Sequence, residues 1–128
     1  MGKTRKMKVL VVDNETEFAS TLAERLRLSK IKAESVSSGE DALDTVSRFM
    51  PDVMILDMQM PNMSGLEVLA QVKVIDPTIE VILLTGHGSF DVGIAGMELG
   101  AFGYIVKPVD LAQLMEKITE ANEKKLGK

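Results

Sequence analysis

Four short apolar runs punctuate the chain: Val9-Leu10-Val11-Val12, Val53-Met54-Ile55-Leu56, Val81-Ile82-Leu83-Leu84 and Tyr104-Ile105-Val106. A strand with one face in water alternates apolar and polar side chains. An unbroken run suits a strand buried on both faces, as in a parallel sheet covered by helices on each side. A fifth segment, Lys32 to Val36, mixes in Lys32, Glu34 and Ser35 and reads as an edge strand.

Helical spacing fills the intervals. Phe18, Leu22 and Leu26 form one stripe, and Ala42, Leu43, Val46 and Phe49 a second. Val68, Leu69, Val72 and Ile75 form a third, ended by Pro77; the last carries Leu111, Leu114, Met115 and Ile118, with Asp110 placed to cap its start. A fourth helix spans about Phe90 to Leu99, where Ile94 and Met97 mark one apolar stripe and Val92, Ala95 and Leu99 another. Both cannot face a sheet fully. Gly93 and Gly96 each cost an interior helix about 1 kcal/mol relative to alanine, so this helix reads as a weak, movable element suited to a partner. The pattern is (βα)5, an α/β chain with a doubly wound five-stranded parallel sheet and right-handed crossovers.

The 128 residues make one domain, with a core from about residue 8 to residue 123. With no cysteine and a single His87, a disulfide, a thiolate site or a zinc centre has nothing to be built from. No apolar run approaches a membrane span, and no secretory signal precedes the first strand, so a cytoplasmic location and no membrane partner are expected. A net charge of −4 argues against nucleic acid as a direct partner, and the basic start (Lys3, Arg5, Lys6, Lys8) reads as a terminus rather than a nucleic-acid arm.

In the flavodoxin-like strand order 2-1-3-4-5, ligands bind beyond the carboxyl ends of strands 1 and 3, where the winding reverses. There strand 1 ends in Asp13-Asn14-Glu15, strand 3 in Asp57, strand 4 in Thr85, and strand 5 runs into Lys107-Pro108. Acid, acid, hydroxyl and amine converge on one rim. Gathered carboxylates repel each other unless a cation joins them, and an oxygen-only donor set suits Mg²⁺ or Mn²⁺. A hard cation beside a free carboxylate can bridge an incoming phosphoryl group, with Thr85 bonding one phosphoryl oxygen and Lys107 pairing with another. The chemistry implied is phosphoryl transfer onto a carboxylate.

Four stretches, Val-Leu-Val-Val-Asp-Asn-Glu, Leu-Asp-Met-Gln-Met-Pro-Asn-Met-Ser-Gly, Leu-Leu-Thr-Gly-His and Tyr-Ile-Val-Lys-Pro, resemble the signatures of the response-regulator receiver domains of bacterial two-component signalling. They occur in the family's order, over roughly Lys8 to Glu123. The resemblance implies Asp57 as phosphoacceptor, Asp13 and Asn14 in the paired metal positions, and Gln59 giving its backbone carbonyl to the metal. It also implies Thr85 as switch hydroxyl, Tyr104 as switch aromatic and Lys107 as the lysine before a proline, often joined by a cis peptide. Such a module is a phosphoprotein switch rather than an enzyme, though it assists its own Mg²⁺-dependent phosphorylation and dephosphorylation. Its donor is a histidine kinase or phosphotransfer protein. An effector domain joined after Lys128, and a phosphorylation-linked homodimer through the fourth helix, fifth strand and fifth helix, are further implied partners. Asn14 departs from the pattern, which usually has a second acid there; the amide keeps a carbonyl oxygen and loses a charge.

Plainer readings stand beside these. Asp57 alone could be a turn residue, Thr85 a strand end and Lys107 a solvated lysine; their shared rim is what favours chemistry. His87 reads as a polar loop residue, Gly86-His87-Gly88 as no dinucleotide fingerprint, and Met54, Met58, Met60 and Met63 as core and loop filling. A phosphate-independent pseudo-receiver acting as an interaction module is the alternative that Asn14 favours. A flavin-binding electron carrier of similar topology is disfavoured by the acidic first loop, Asn14-Glu15-Thr16-Glu17, which would repel a flavin phosphate.

Overall fold

The computed structural model describes residues 6–86 and 90–127. Strands and helices alternate as β1 (Lys8–Val12), α1 (Thr16–Leu28), β2 (Lys32–Val36), α2 (Gly39–Phe49), β3 (Val53–Asp57), α3 (Gly65–Ile75), β4 (Glu80–Thr85), α4 (Phe90–Glu98), β5 (Gly103–Val106) and α5 (Leu111–Lys125). The sheet order is β2-β1-β3-β4-β5 with every neighbouring pair parallel, so β2 and β5 are the edges and the winding reverses between β1 and β3.

The unbroken apolar runs follow from burial on both faces. Val9, Val11, Ile55 and Leu84 face α1 and α5, meeting Leu22, Leu26, Leu114 and Ile118. Their neighbours Leu10, Val12, Leu56 and Leu83 face the other way, over α2 and α3, meeting Ala42, Phe49, Val68 and Leu69. Each fully buried side chain of this size contributes about 1.5–3 kcal/mol relative to exposure. Met54, Met58 and Met60 are buried and Met63 packs partly against the same cluster, as filling side chains would. The start of α5 behaves as anticipated: Asp110 accepts from the Gln113 N–H at 3.2 Å. Ser64 and Glu67 form a reciprocal capping box at the start of α3.

One stripe differs from expectation. Ile75 ends α3 and is half exposed, so the apolar stripe there stops a turn early. On α4 neither stripe faces the sheet fully: Ile94, Met97 and Leu99 are exposed, Val92 packs half-buried against the core, Ala95 is half-buried, and Gly93 and Gly96 are buried. A Cβ on Gly96 would overlap Leu83 Cδ1, so α4 approaches β4 at a distance that only a glycine permits. The glycines that weaken the helix are therefore its contact face. The side chains left outward are apolar and exposed, as is Val106 of β5.

At the amino ends of the strands lie buried charges that the sequence pattern does not mark. Asp52 is buried, accepting from the Lys8 N–H at 2.8 Å and from Lys125 Nζ at 3.0 Å. Glu80 is buried with Lys124 Nζ 3.8 Å from its Oε1. The last turn of α5 is thus tied by two lysines to the rim opposite the carboxyl ends. No helix among the described residues is long and apolar enough to cross a membrane. Lys3, Arg5 and His87 fall outside the described residues.

Candidate functional site

The carboxyl ends of β1, β3, β4 and β5 deliver four side chains to one rim, each through a local reason. Asp13 follows β1 directly, its N–H still bonded to Val36 O at 3.2 Å, which carries it into the buried interior. Asp57 is the last residue of β3, paired in register with Leu84. Gly65 lets the start of α3 close on this strand end: a Cβ there would come within 2.7 Å of the Asp57 carbonyl oxygen and of Met58 Cα. Lys107 follows β5, its N–H bonded to Thr85 O at 2.8 Å, and its peptide bond to Pro108 is cis.

The ammonium of Lys107 draws these elements together. Its Nζ lies 3.0 Å from Asp13 Oδ2, 3.2 Å from Glu15 Oε1 and 3.8 Å from Asp57 Oδ1. It also stands 5.2 Å from the centre of the Phe18 ring, within cation–π range. Both acids are further held by backbone N–H groups two residues on, Glu15 N–H to Asp13 Oδ1 at 2.9 Å and Gln59 N–H to Asp57 Oδ1 at 3.2 Å.

Three carboxylates around one ammonium leave the rim negative. Burial pushes the Asp57 carboxyl up to about 6; the Gln59 N–H opposes the shift, the Asp13 charge adds to it, and Lys107 opposes it. For Lys107, burial works against the charged form, but the hydrogen bonds to Asp13 and Glu15 and the charges of Asp57 and Asp13 outweigh it and raise its pKa. The ammonium is therefore firmly charged.

An open cleft of about 410 Å³ lies over this group, lined by Asn14, Glu15, Asp57, Gln59, Gly86 and Lys107. A hard divalent cation fits it by charge and by donor type, since burial and the Asp13 charge destabilise the Asp57 anion and the lining offers carboxylate and amide oxygens with no sulfur or imidazole. Among the described residues no three His, Cys, Asp or Glu side chains are arranged to hold a metal. A cation here would complete its shell with carbonyl and water oxygens beside Asp13 and Asp57, as Mg²⁺ commonly does.

Thr85 is buried at the end of β4, next to Gly86 of the cleft. Its register partner is Val106, while Tyr104 pairs with Leu83. By the alternation of strands, Thr85 and Tyr104 share the face of the sheet that carries Leu83 and turns towards α4. Tyr104 is not in the cleft; its ring lies against Gly93. Asn14 is exposed at the cleft's edge.

Helical periodicity places Phe18 only in a core stripe and does not pair Glu15 with Lys107. The signal for both was the start of α1, where Glu15 and Phe18 stand three residues apart, within one helical turn.

Comparison with known proteins agrees with this geometry. The family model described as "Response regulator receiver domain" matches residues 9–119. The chain is 34% identical over 111 residues to sporulation initiation phosphotransferase F of Bacillus subtilis, covering 87% of this chain and 90% of that protein. It is equally identical over 111 residues to the transcriptional regulatory protein PrrA of Mycobacterium leprae, but covers 48% of it, so the chain spans about half the length of several curated relatives. A crystal structure of a response regulator receiver domain protein from Clostridium thermocellum superposes with a TM-score of 0.89 at 37% identity, over 95% of this chain and 99% of that one. Rim, sheet order and relatives agree: this chain belongs to the response-regulator receiver domain family of two-component signalling.

Proposed function

We propose that the chain is a phosphorylation-controlled switch whose phosphoacceptor is Asp57, with a histidine kinase or phosphotransfer protein as donor. The observation that carries this is the meeting of Lys107 Nζ with the buried carboxylates of Asp13 and Asp57 at the switch point of the sheet. An Asp57 carboxylate oxygen attacks the donor's phosphorus, an O–P bond forms, and the P–N bond to the donor imidazole breaks with its electron pair leaving on nitrogen. Asp13, Asn14, Asp57 and the Gln59 carbonyl would hold Mg²⁺ or Mn²⁺, which when bound neutralises charge developing on the phosphoryl oxygens. Lys107 pairs with one phosphoryl oxygen, and the Thr85 hydroxyl donates to another. Because Thr85 and Tyr104 share the face towards α4, a Thr85 drawn to the phosphoryl group frees room for Tyr104 to turn inward. That biases α4 and β5 between two arrangements.

The test is labelling by a small-molecule phosphodonor with Mg²⁺. Native protein should be labelled once, and Asp57→Asn should abolish the label; undiminished labelling of that variant would refute the assignment.

A second reading, a phosphate-independent pseudo-receiver working as an interaction module, rests on Asn14, a neutral exposed amide where the family usually has an acid. Native protein that bound no Mg²⁺ at millimolar concentration and took no label would decide for it.

A further inference from the structure

Lys107 has two kinds of acidic partner. Asp13 is wholly buried and fixed by the Glu15 N–H. Glu15 has a side chain 66% exposed, free to swing through water, yet its Oε1 sits 3.2 Å from Lys107 Nζ. Asp57, the group on which the chemistry is proposed, is the farthest of the three at 3.8 Å.

The position of Glu15 in the chain makes this pairing informative. It is the N-cap residue of α1, in extended backbone conformation, and its side chain makes no capping bond to the helix. An N-cap side chain ordinarily turns inward to accept from the first helical N–H groups. This carboxylate is turned instead to the ammonium of a residue 92 positions away. One turn into the same helix, Phe18 is half-buried against the core and presents its ring 5.2 Å from that ammonium. Acid and ring, both from the start of α1, thus form one seat for Lys107.

We infer that Glu15 and Phe18 are positioning residues that hold Lys107 in a resting seat and compete with a phosphoryl group on Asp57 for its ammonium. The inference rests on the phosphoacceptor reading of Asp57. To reach a phosphoryl oxygen, Nζ must exchange Glu15 for the new anion while Asp13 keeps its hold. Glu15 then acts as a brake on retention of the phosphoryl group, and its release places a free carboxylate at the edge of the cleft. Its worth is that of an exposed ion pair, on the order of 2- to 5-fold in an equilibrium constant.

The experiment uses the full chain in two measurements. In metal-free protein, the side-chain ε resonances of Lys107 are compared between native, Glu15→Gln and Phe18→Leu. Loss of the ring-current shift in Phe18→Leu and displacement in Glu15→Gln are expected, and resonances unmoved by both would overturn the seat whatever Asp57 binds. At saturating Mg²⁺, beryllofluoride is titrated into native, Glu15→Gln and Glu17→Gln proteins. Glu15→Gln should bind about 2- to 5-fold more tightly. Glu17→Gln, which removes an equal charge from the first turn of α1, should match native. Equal tightening in both variants, or none in Glu15→Gln, would overturn the competition. Native protein that binds no beryllofluoride would overturn the phosphoacceptor reading and the competition with it, while the metal-free resonances still report on the seat.

Discussion

The ring of Tyr104 lies on the bare backbone of Gly93, where a Cβ would stand 3.4 Å from two of the ring carbons, while one turn on Gly96 presses so close to Leu83 that a Cβ would overlap its Cδ1. Two glycines three residues apart therefore answer differently to alanine. At Gly93 the added methyl meets the ring at a tight but adjustable distance, and the helix gains about 1 kcal/mol of propensity. At Gly96 a wholly buried Leu83 must move, which costs about 1–3 kcal/mol and outweighs the same gain. Urea unfolding should show Gly93→Ala at native stability or above and Gly96→Ala below it; the reverse order would contradict the packing of α4.

The same contact makes Tyr104 a reporter of switching. Beryllofluoride with Mg²⁺ should shift the amide resonances of Thr85, Gly93 and Tyr104 as well as those of the Asp57 loop. Shifts confined to that loop would remove the coupling to α4. Ile94, Met97 and Val106 are exposed apolar side chains on α4 and β5, and sedimentation with and without the analogue tests phosphorylation-linked self-association there: a mass increase is expected, and an unchanged mass would refute it.

Asp57 sets a pH dependence in the metal-free protein. Its folded pKa of about 6 lies above the ordinary 3.8, so the native state holds this proton more tightly than the unfolded chain does. The stability that this adds is complete below about pH 4 and is lost as pH rises through 6. Asp57→Asn, which is neutral throughout, should be more stable than native at pH 7 to 8, with the gap closing as pH falls towards 4. Asp76 runs the other way, held low by its Thr78 hydrogen bonds, so the difference between the two proteins is the quantity to follow by thermal unfolding.

At the opposite rim, Lys125→Met withdraws a mostly buried cation from Asp52. Breaking a buried pair costs about 3–5 kcal/mol, and the bond that Asp52 keeps from the Lys8 N–H brings the expected loss to the lower end of that range. A loss below about 1 kcal/mol, the worth of a surface pair, would mean that water already reaches Asp52.

The strands were legible because burial on both faces leaves an unmistakable run, and the rim was legible because parallel strands end together. Asp13, Asp57 and Lys107 meet as the topology required. What periodicity could not show was the face of α4, since a stripe search weighs large side chains and this helix packs through glycines. Nor could it show that Phe18 serves the core and Lys107 at once, or that Asp52 and Glu80 are buried. Those facts depend on distances between elements far apart in the chain.

Asn14 provides the last prediction, because it is the cleft's departure from its family. Asp13, Glu15 and Asp57 all stand within 4 Å of Lys107 Nζ, so a cation in the cleft meets carboxylate charge that the ammonium already offsets in part. Two unit charges about 4 Å apart attract by about 4 kcal/mol at an effective dielectric near 20 and by about 1 kcal/mol in water. Asn14 is exposed, so the charge that Asn14→Asp restores is worth the lower part of that range, about 1–2 kcal/mol, or about 5- to 30-fold in affinity. The added carboxylate also raises repulsion at a rim already short of positive charge, so the metal-free variant should unfold slightly more easily than native. Calorimetric titration should therefore find tighter Mg²⁺ binding in Asn14→Asp, and less Mg²⁺ should be needed for half-maximal labelling at Asp57. Equal or weaker affinity would show that the residue at position 14 does not set the charge felt by the cation, and that Asp13 and Asp57 suffice to hold it.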